Sequence, residues 1–312
     1  MESELPILRA LGQNASEVVL REPGERFLSA PRPIGPYAGE HWEFAWLSVA
    51  AYQKTYAGAK EAAKRAKPRK RLPARGRAPA AALDPNPDPA APLTAAGWER
   101  WTGFPDDVLL AKIKATHLRV EVWERQEPPA VAVTFGGTVF TNNADWWANL
   151  RWFVPWHHDQ YTDVVQTLAP AFDLELKRRS RHMDPARLAR LELYSTGHSL
   201  GGGLAQQLAY SLPYDSVKHV KQVYAFDPSP VTGFYGVPVK LRDQNRRGML
   251  IDRIYERGEI LALLRSLTSL IYKPSAVDPA VRGVRYRVFR AWNAIAAHSI
   301  VELAIKLDAA RE

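Results

Sequence analysis

Residues 197–201 read Gly-His-Ser-Leu-Gly, so Ser199 stands between two glycines, each two positions away. Gly-x-Ser-x-Gly is a weak signal taken alone; its context makes it chemical. The apolar "RLELYST" before it reads as a strand. "GGLAQQLAYSL" after it reads as a helix, with Leu204, Leu208 and Leu212 on one face. Where a chain leaves a strand and enters a helix through so sharp a turn, only minimal side chains fit on either side of the serine, which is held in a strained conformation. The serine then stands at a helix N-terminus, whose N–H groups favour developing negative charge.

A serine hydroxyl attacks poorly without a base, and the base needs a carboxylate to fix its tautomer. In a nucleophile turn of this kind the chain order is serine, acid, histidine. Two histidines follow Ser199. His219 lies at the start of the strand "VKQVYAF", whose far end approaches the serine, so it points to the wrong edge. His298, in "AAHSIVEL", is late enough and sits among small residues that leave room for an imidazole. His198 is read as packing. Among acids, Asp252 begins the strand "IDRIYER", whereas catalytic groups belong at the carboxyl ends of strands. Glu259, just past that strand in "YERGEILALL", is therefore preferred, with Asp227 of "VYAFDPSP" as the alternative. This chemistry requires no metal or organic cofactor, and a chain without cysteine has neither disulfides nor thiolate metal sites.

These residues need a scaffold. "HLRVEVWER" and "AVAVTFGG" read as strands joined by a Glu-Pro-Pro turn, and strands then alternate with helical stretches to the C-terminus. Such alternation predicts an α/β fold with a mostly parallel central sheet flanked by helices. At 312 residues the chain is read as a single domain 1–312, with an N-terminal helical element at 40–57, a flexible insertion at 58–97 and a catalytic core at 98–312. The insertion is rich in Pro and Ala and offers little to bury, the composition of a disordered segment. It also carries the charge. Between Lys60 and Arg77, nine basic residues face Glu61 alone, which accounts for eight of the net nine positive charges. With no aromatic residues interleaved for stacking, nucleic acid is not expected as a partner, and attraction to anionic lipid is the functional alternative to a plain linker. Arg265 interrupts the best apolar run, and the acidic "MESELPILRA" is unlike a Sec signal. A cytoplasmic protein, or one secreted by a leaderless route, is expected.

"AVTFGGTVFTNNADWWANLRW", "YSTGHSLGGGLA", "YAFDPSPVTG", "RIYERGEIL" and "AAHSIVEL" occur in an order that resembles the class 3 lipases, the fungal-lipase-like α/β hydrolases, from about Trp98 onward. The resemblance implies an α/β-hydrolase fold. It also implies an oxyanion hole made by Thr138 of the Phe135-Gly136-Gly137-Thr138 run and by the Leu200 N–H, and it places Glu259 at the acid position. Three departures stand out: Gly136 replaces the family's arginine, Glu259 replaces aspartate, and "HDQY" at 158–161 lacks a glycine of the family pattern.

Four tryptophans (Trp146, Trp147, Trp152, Trp156) crowd one short segment with Leu150 and Phe153. By resemblance this is a lid helix. Tryptophan suits a lipid boundary because its ring is apolar while its N–H stays wet. The combined expectation is a lipase or phospholipase acting on a lipid or membrane surface. The alternatives are a soluble short-chain esterase, with those tryptophans in the core, and a non-catalytic lipase-like binding scaffold.

Overall fold

The computed structural model describes residues 17–25, 29, 32–33, 37–52, 87–137, 158–256, 275–287 and 299–311. Among the described residues there are nine strands: β1 (Glu17–Arg21), β2 (Arg32–Pro33), β3 (Trp98–Arg100), β4 (Arg119–Arg125), β5 (Ala130–Gly136), β6 (Glu192–His198), β7 (Val220–Phe226), β8 (Leu250–Glu256) and β9 (Ala280–Tyr286). They form one sheet in the order β2-β1-β9-β8-β7-β6-β5-β4-β3. The five central strands, β5 to β9, are mutually parallel; β4 and β3 continue the sheet antiparallel on one side, β1 and β2 on the other. The helices are α1 (Tyr37–Ala50), α2 (Ala90–Ala95), α3 (Asp107–Ile113), α4 (His158–Asp163), α5 (Ala169–Ser180), α6 (Pro185–Arg190), α7 (Leu200–Ser211), α8 (Val239–Asn245) and α9 (Ile300–Ala309). A π-helical turn, Val164–Leu168, joins α4 to α5.

The central strands are buried on both faces, so their residues alternate between two cores rather than between core and water. Val131, Val133 and Phe135 of β5, with Val223 and Ala225 of β7, meet Leu204 and Leu208 of α7 in one core. Ala130, Ala132, Tyr224 and Phe226 face the other way, toward Phe44 and Leu47 of α1 and Leu303 and Leu307 of α9. Polar atoms fix α1 closely to the sheet: Thr134 Oγ1 donates to the Leu47 carbonyl at 2.9 Å, and the Ser48 and Thr196 hydroxyls lie 3.0 Å apart.

Contacts at its two ends set the direction of α1. Near its start, His41 Nε2 lies 3.0 Å from Asp252 Oδ2, close to the amino end of β8. Just beyond its end, Tyr52 meets His198, the last residue of β6. The helix therefore runs parallel to the central strands. Helix α9 returns antiparallel to it: Trp46 Nε1 donates to Asp308 at 3.0 Å, and the Arg311 guanidinium lies over the Trp42 ring at 4.1 Å. Ser299, which caps α9 by accepting from the Glu302 N–H, accordingly belongs to the carboxyl end of the sheet.

Part of the span assigned to a flexible insertion is ordered. Residues 87–97 form α2 and its flanks, with Leu93 fully buried beneath α1. A single leucine gives that turn a place to dock, which overrides the compositional signal. The rest of the insertion lies outside the described residues. Among the described residues, no helix is long and apolar enough to cross a membrane.

Candidate active site

Strand β6 ends at His198, Ser199 forms the turn, and α7 begins at Leu200. The turn is strained: Ser199 has φ 58° and ψ −122°. Side-chain-bearing residues avoid this region, which costs on the order of 1–3 kcal/mol and persists only where the surroundings enforce it. Backbone hydrogen bonds do so here. The Ser199 N–H donates to the Phe226 carbonyl at 2.9 Å, and the Ser199 carbonyl accepts from the N–H groups of Gly202 and Ser229, both at 3.0 Å. The glycines are required sterically. A Cβ on Gly197 would overlap the Gly201 carbonyl, and one on Gly201 would overlap the Phe135 carbonyl. On the same face of β6, Ser195 Oγ donates to the Ala205 carbonyl at 2.8 Å, pinning α7 to its own strand.

Among the described residues, three that are not glycine have positive φ: His117, Ser199 and Asp227. Two of these sit side by side at the carboxyl ends of the adjacent strands β6 and β7. Asp227 is fully buried, its N–H donates to the Ile254 carbonyl at 2.7 Å, and its Oδ2 lies 3.8 Å from His198 Nε2. His198 is thus more than packing. Its Nδ1 is 3.1 Å from the Tyr52 hydroxyl, which also donates to the His198 carbonyl at 3.3 Å. Sequence reasoning missed Tyr52 altogether, since "LSVAAY" reads only as an apolar helix.

The end of β5 lies against this turn. A Cβ at Gly137 would stand 3.4 Å from the Leu200 nitrogen and 2.6 Å from the His198 carbonyl oxygen. The Leu200 N–H belongs to the first helical residue, and such amides have no acceptor within the helix. Gly136 is packed against the Ala51 carbonyl. An arginine does stand beside it in space: Arg119, its register partner on β4, has Cβ and Cδ 3.1 and 3.3 Å from where a Gly136 side chain would begin.

His219 precedes β7, at the far end of the sheet, with its Nδ1 2.6 Å from Asn245 Oδ1, so it does not approach Ser199. Asp252 lies near the amino end of β8, as its sequence position implied. His298, Glu259, Thr138, Trp146, Trp147, Leu150, Trp152 and Phe153 lie outside the described residues, as does the basic span 60–77. Glu40, His41 and Asp252 bring potential metal-ligand atoms within 4.8 Å of one another. There, however, the cation is an arginine. Arg282 holds both Asp252 oxygens at 2.6 Å and reaches Glu40 at 2.9 Å, while Gln222 donates to Asp252 at 2.9 Å. Burial alone would raise the Asp252 carboxyl; hydrogen bonds from His41 and Arg282 outweigh it and hold the group below the usual range.

No protein-family model matches the chain, and no curated protein matches it.

Proposed function

We propose that the protein is a carboxylic ester hydrolase of the α/β-hydrolase class, acting on lipids through a Ser199–His298–acid triad. The observation that carries this reading is the backbone of Ser199. A serine held at φ 58° on a strand-to-helix turn, with glycines where any Cβ would strike backbone, is what a nucleophile at the carboxyl end of a central strand requires. The placement of Ser299 supports His298 as base, because α9 begins at the same end of the sheet as Ser199.

In this mechanism the Ser199 hydroxyl attacks the ester carbonyl while His298 takes its proton. Glu259, or Asp227 in its place, orients the imidazole. The tetrahedral oxyanion rests on the N–H groups of Leu200 and Thr138, each such donor contributing roughly 100-fold or more in rate. His298 returns the proton to the departing alcohol. It then activates a water that releases the acyl group and restores Ser199. The preference for lipid rests on the tryptophan-rich segment and on the resemblance to class 3 lipases. A lid that uncovers apolar surface is penalised in water by about 25 cal/mol per Å² and favoured where lipid receives that surface.

Hydrolysis of p-nitrophenyl esters by the native protein and by Ser199→Ala tests the mechanism. The variant should fold as the native protein does, lose turnover and fail to react with a fluorophosphonate probe. Turnover retained by the variant would refute the serine mechanism. Faster cleavage of long-chain esters above their aggregation point supports the lipid reading, while preference for acetate identifies a soluble esterase. A native protein that is inert to both ester and probe is a binding scaffold.

A further inference from the structure

We infer, resting on the hydrolase reading, that Tyr52 is a positioning residue for the oxyanion site. Its hydroxyl ties the last residue of the nucleophile strand to the end of the strand that leads into Thr138. Three contacts define the arrangement. The hydroxyl lies 3.1 Å from His198 Nδ1 and 3.3 Å from the His198 carbonyl oxygen, so one group grips both the side chain and the backbone of the residue before Ser199. The same oxygen fills the space where a Gly137 side chain would begin, so it also touches the end of β5. Tyr52 itself is buried, and the Ala51 carbonyl against Gly136 fixes the turn that carries it.

Two proposed donors follow this junction in the chain: Leu200, two residues past His198, and Thr138, one residue past Gly137. They belong to chain segments that follow two different strands, β6 and β5, with 62 positions between them in sequence. Oxyanion stabilisation depends on both amides lying about 2.7–3.1 Å from one developing charge, so a small relative shift of the strand ends weakens both contacts. The tyrosine hydroxyl bridges those ends. Asp227, 3.8 Å from His198 Nε2, steadies the imidazole from its other side.

Tyr52→Phe removes the hydroxyl and keeps the ring. With p-nitrophenyl esters, kcat should fall about tenfold or more while KM stays within about twofold, and the rate of fluorophosphonate labelling should fall in step. His198→Asn, which keeps the backbone carbonyl and loses the imidazole, should give a partial loss. The double variant should be no worse than Tyr52→Phe, because both act through one junction. Thermal midpoints of all variants, with assays run well below the lowest, separate this effect from unfolding. An unchanged kcat in folded Tyr52→Phe would overturn the inference, and so would a rise in KM alone, which marks a substrate contact. A native protein that neither hydrolyses ester nor labels overturns the hydrolase reading and this inference together. An active native protein with a fully active Tyr52→Phe overturns only the second.

Discussion

The identity of the acid is decided at single side chains. Asp227 is buried, strained at φ 40° and faces His198, a histidine that points toward α1 and Tyr52. Glu259 comes three residues after β8 in the chain, and β8 is the strand beyond β7 as counted from β6. If Glu259 orients His298, Glu259→Gln should lower kcat by roughly a thousandfold or more, the scale expected when a triad base loses its tautomer. Asp227→Asn should then cost less than about tenfold. Steady-state kinetics of the two variants gives the answer, and the reverse ranking would transfer the role to Asp227. Ser199 and its glycines were legible because a sterically forced turn leaves a local pattern in the chain. Tyr52 was not, because its partner His198 lies 146 positions away and nothing near it in sequence signals the contact.

Elements lose legibility where charge is buried. Strands β4 to β8 were readable from apolar runs bounded by turn residues. Strand β9 was not: "AVRGVRY" carries two arginines, and each finds an acid, Arg282 pairing with Asp252 and Arg285 with Glu17 at 2.5 Å. The partners come from β8 and β1, which no local window contains. The same cluster ties α1 to the amino ends of the strands and makes a prediction about stability. Replacing Asp252 with asparagine leaves the Arg282 guanidinium without its buried counter-charge, and breaking such a pair costs about 3–5 kcal/mol. Chemical denaturation should read that loss at neutral pH. The Asp252 carboxyl lies below its unfolded value, so its contribution is present above the ordinary aspartate range and disappears as pH falls through the depressed folded value. The gap between native protein and Asp252→Asn should therefore narrow on acidification. A gap that is constant with pH would show that ionisation of this group is not the source.

For the molecule as a whole, charge and connectivity are separable. Eight of the nine net positive charges fall between residues 60 and 77, so the remainder is nearly neutral. Deleting Lys60–Arg77 should abolish most binding to vesicles containing phosphatidylserine while sparing hydrolysis of a soluble ester. Native binding should fall steeply between low and physiological salt, as screening shortens to about 8 Å. Sedimentation with vesicles measures this, and equal binding by the deleted protein would remove the segment from membrane recruitment. Connectivity has its own consequence. Strand β1 pairs with β9 from Glu17↔Arg285 to Arg21↔Val281, so the first of the described strands is zipped to one made well over two hundred residues later. As the polypeptide leaves the ribosome, β1 can pair early with the short β2 through Glu17↔Pro33 and Val18↔Arg32, but its β9 side waits until that much later strand has been made. Among the described strand pairings this one closes the longest loop, which makes it the natural bottleneck of maturation and the point where a stalled chain would offer an open strand edge to its neighbours.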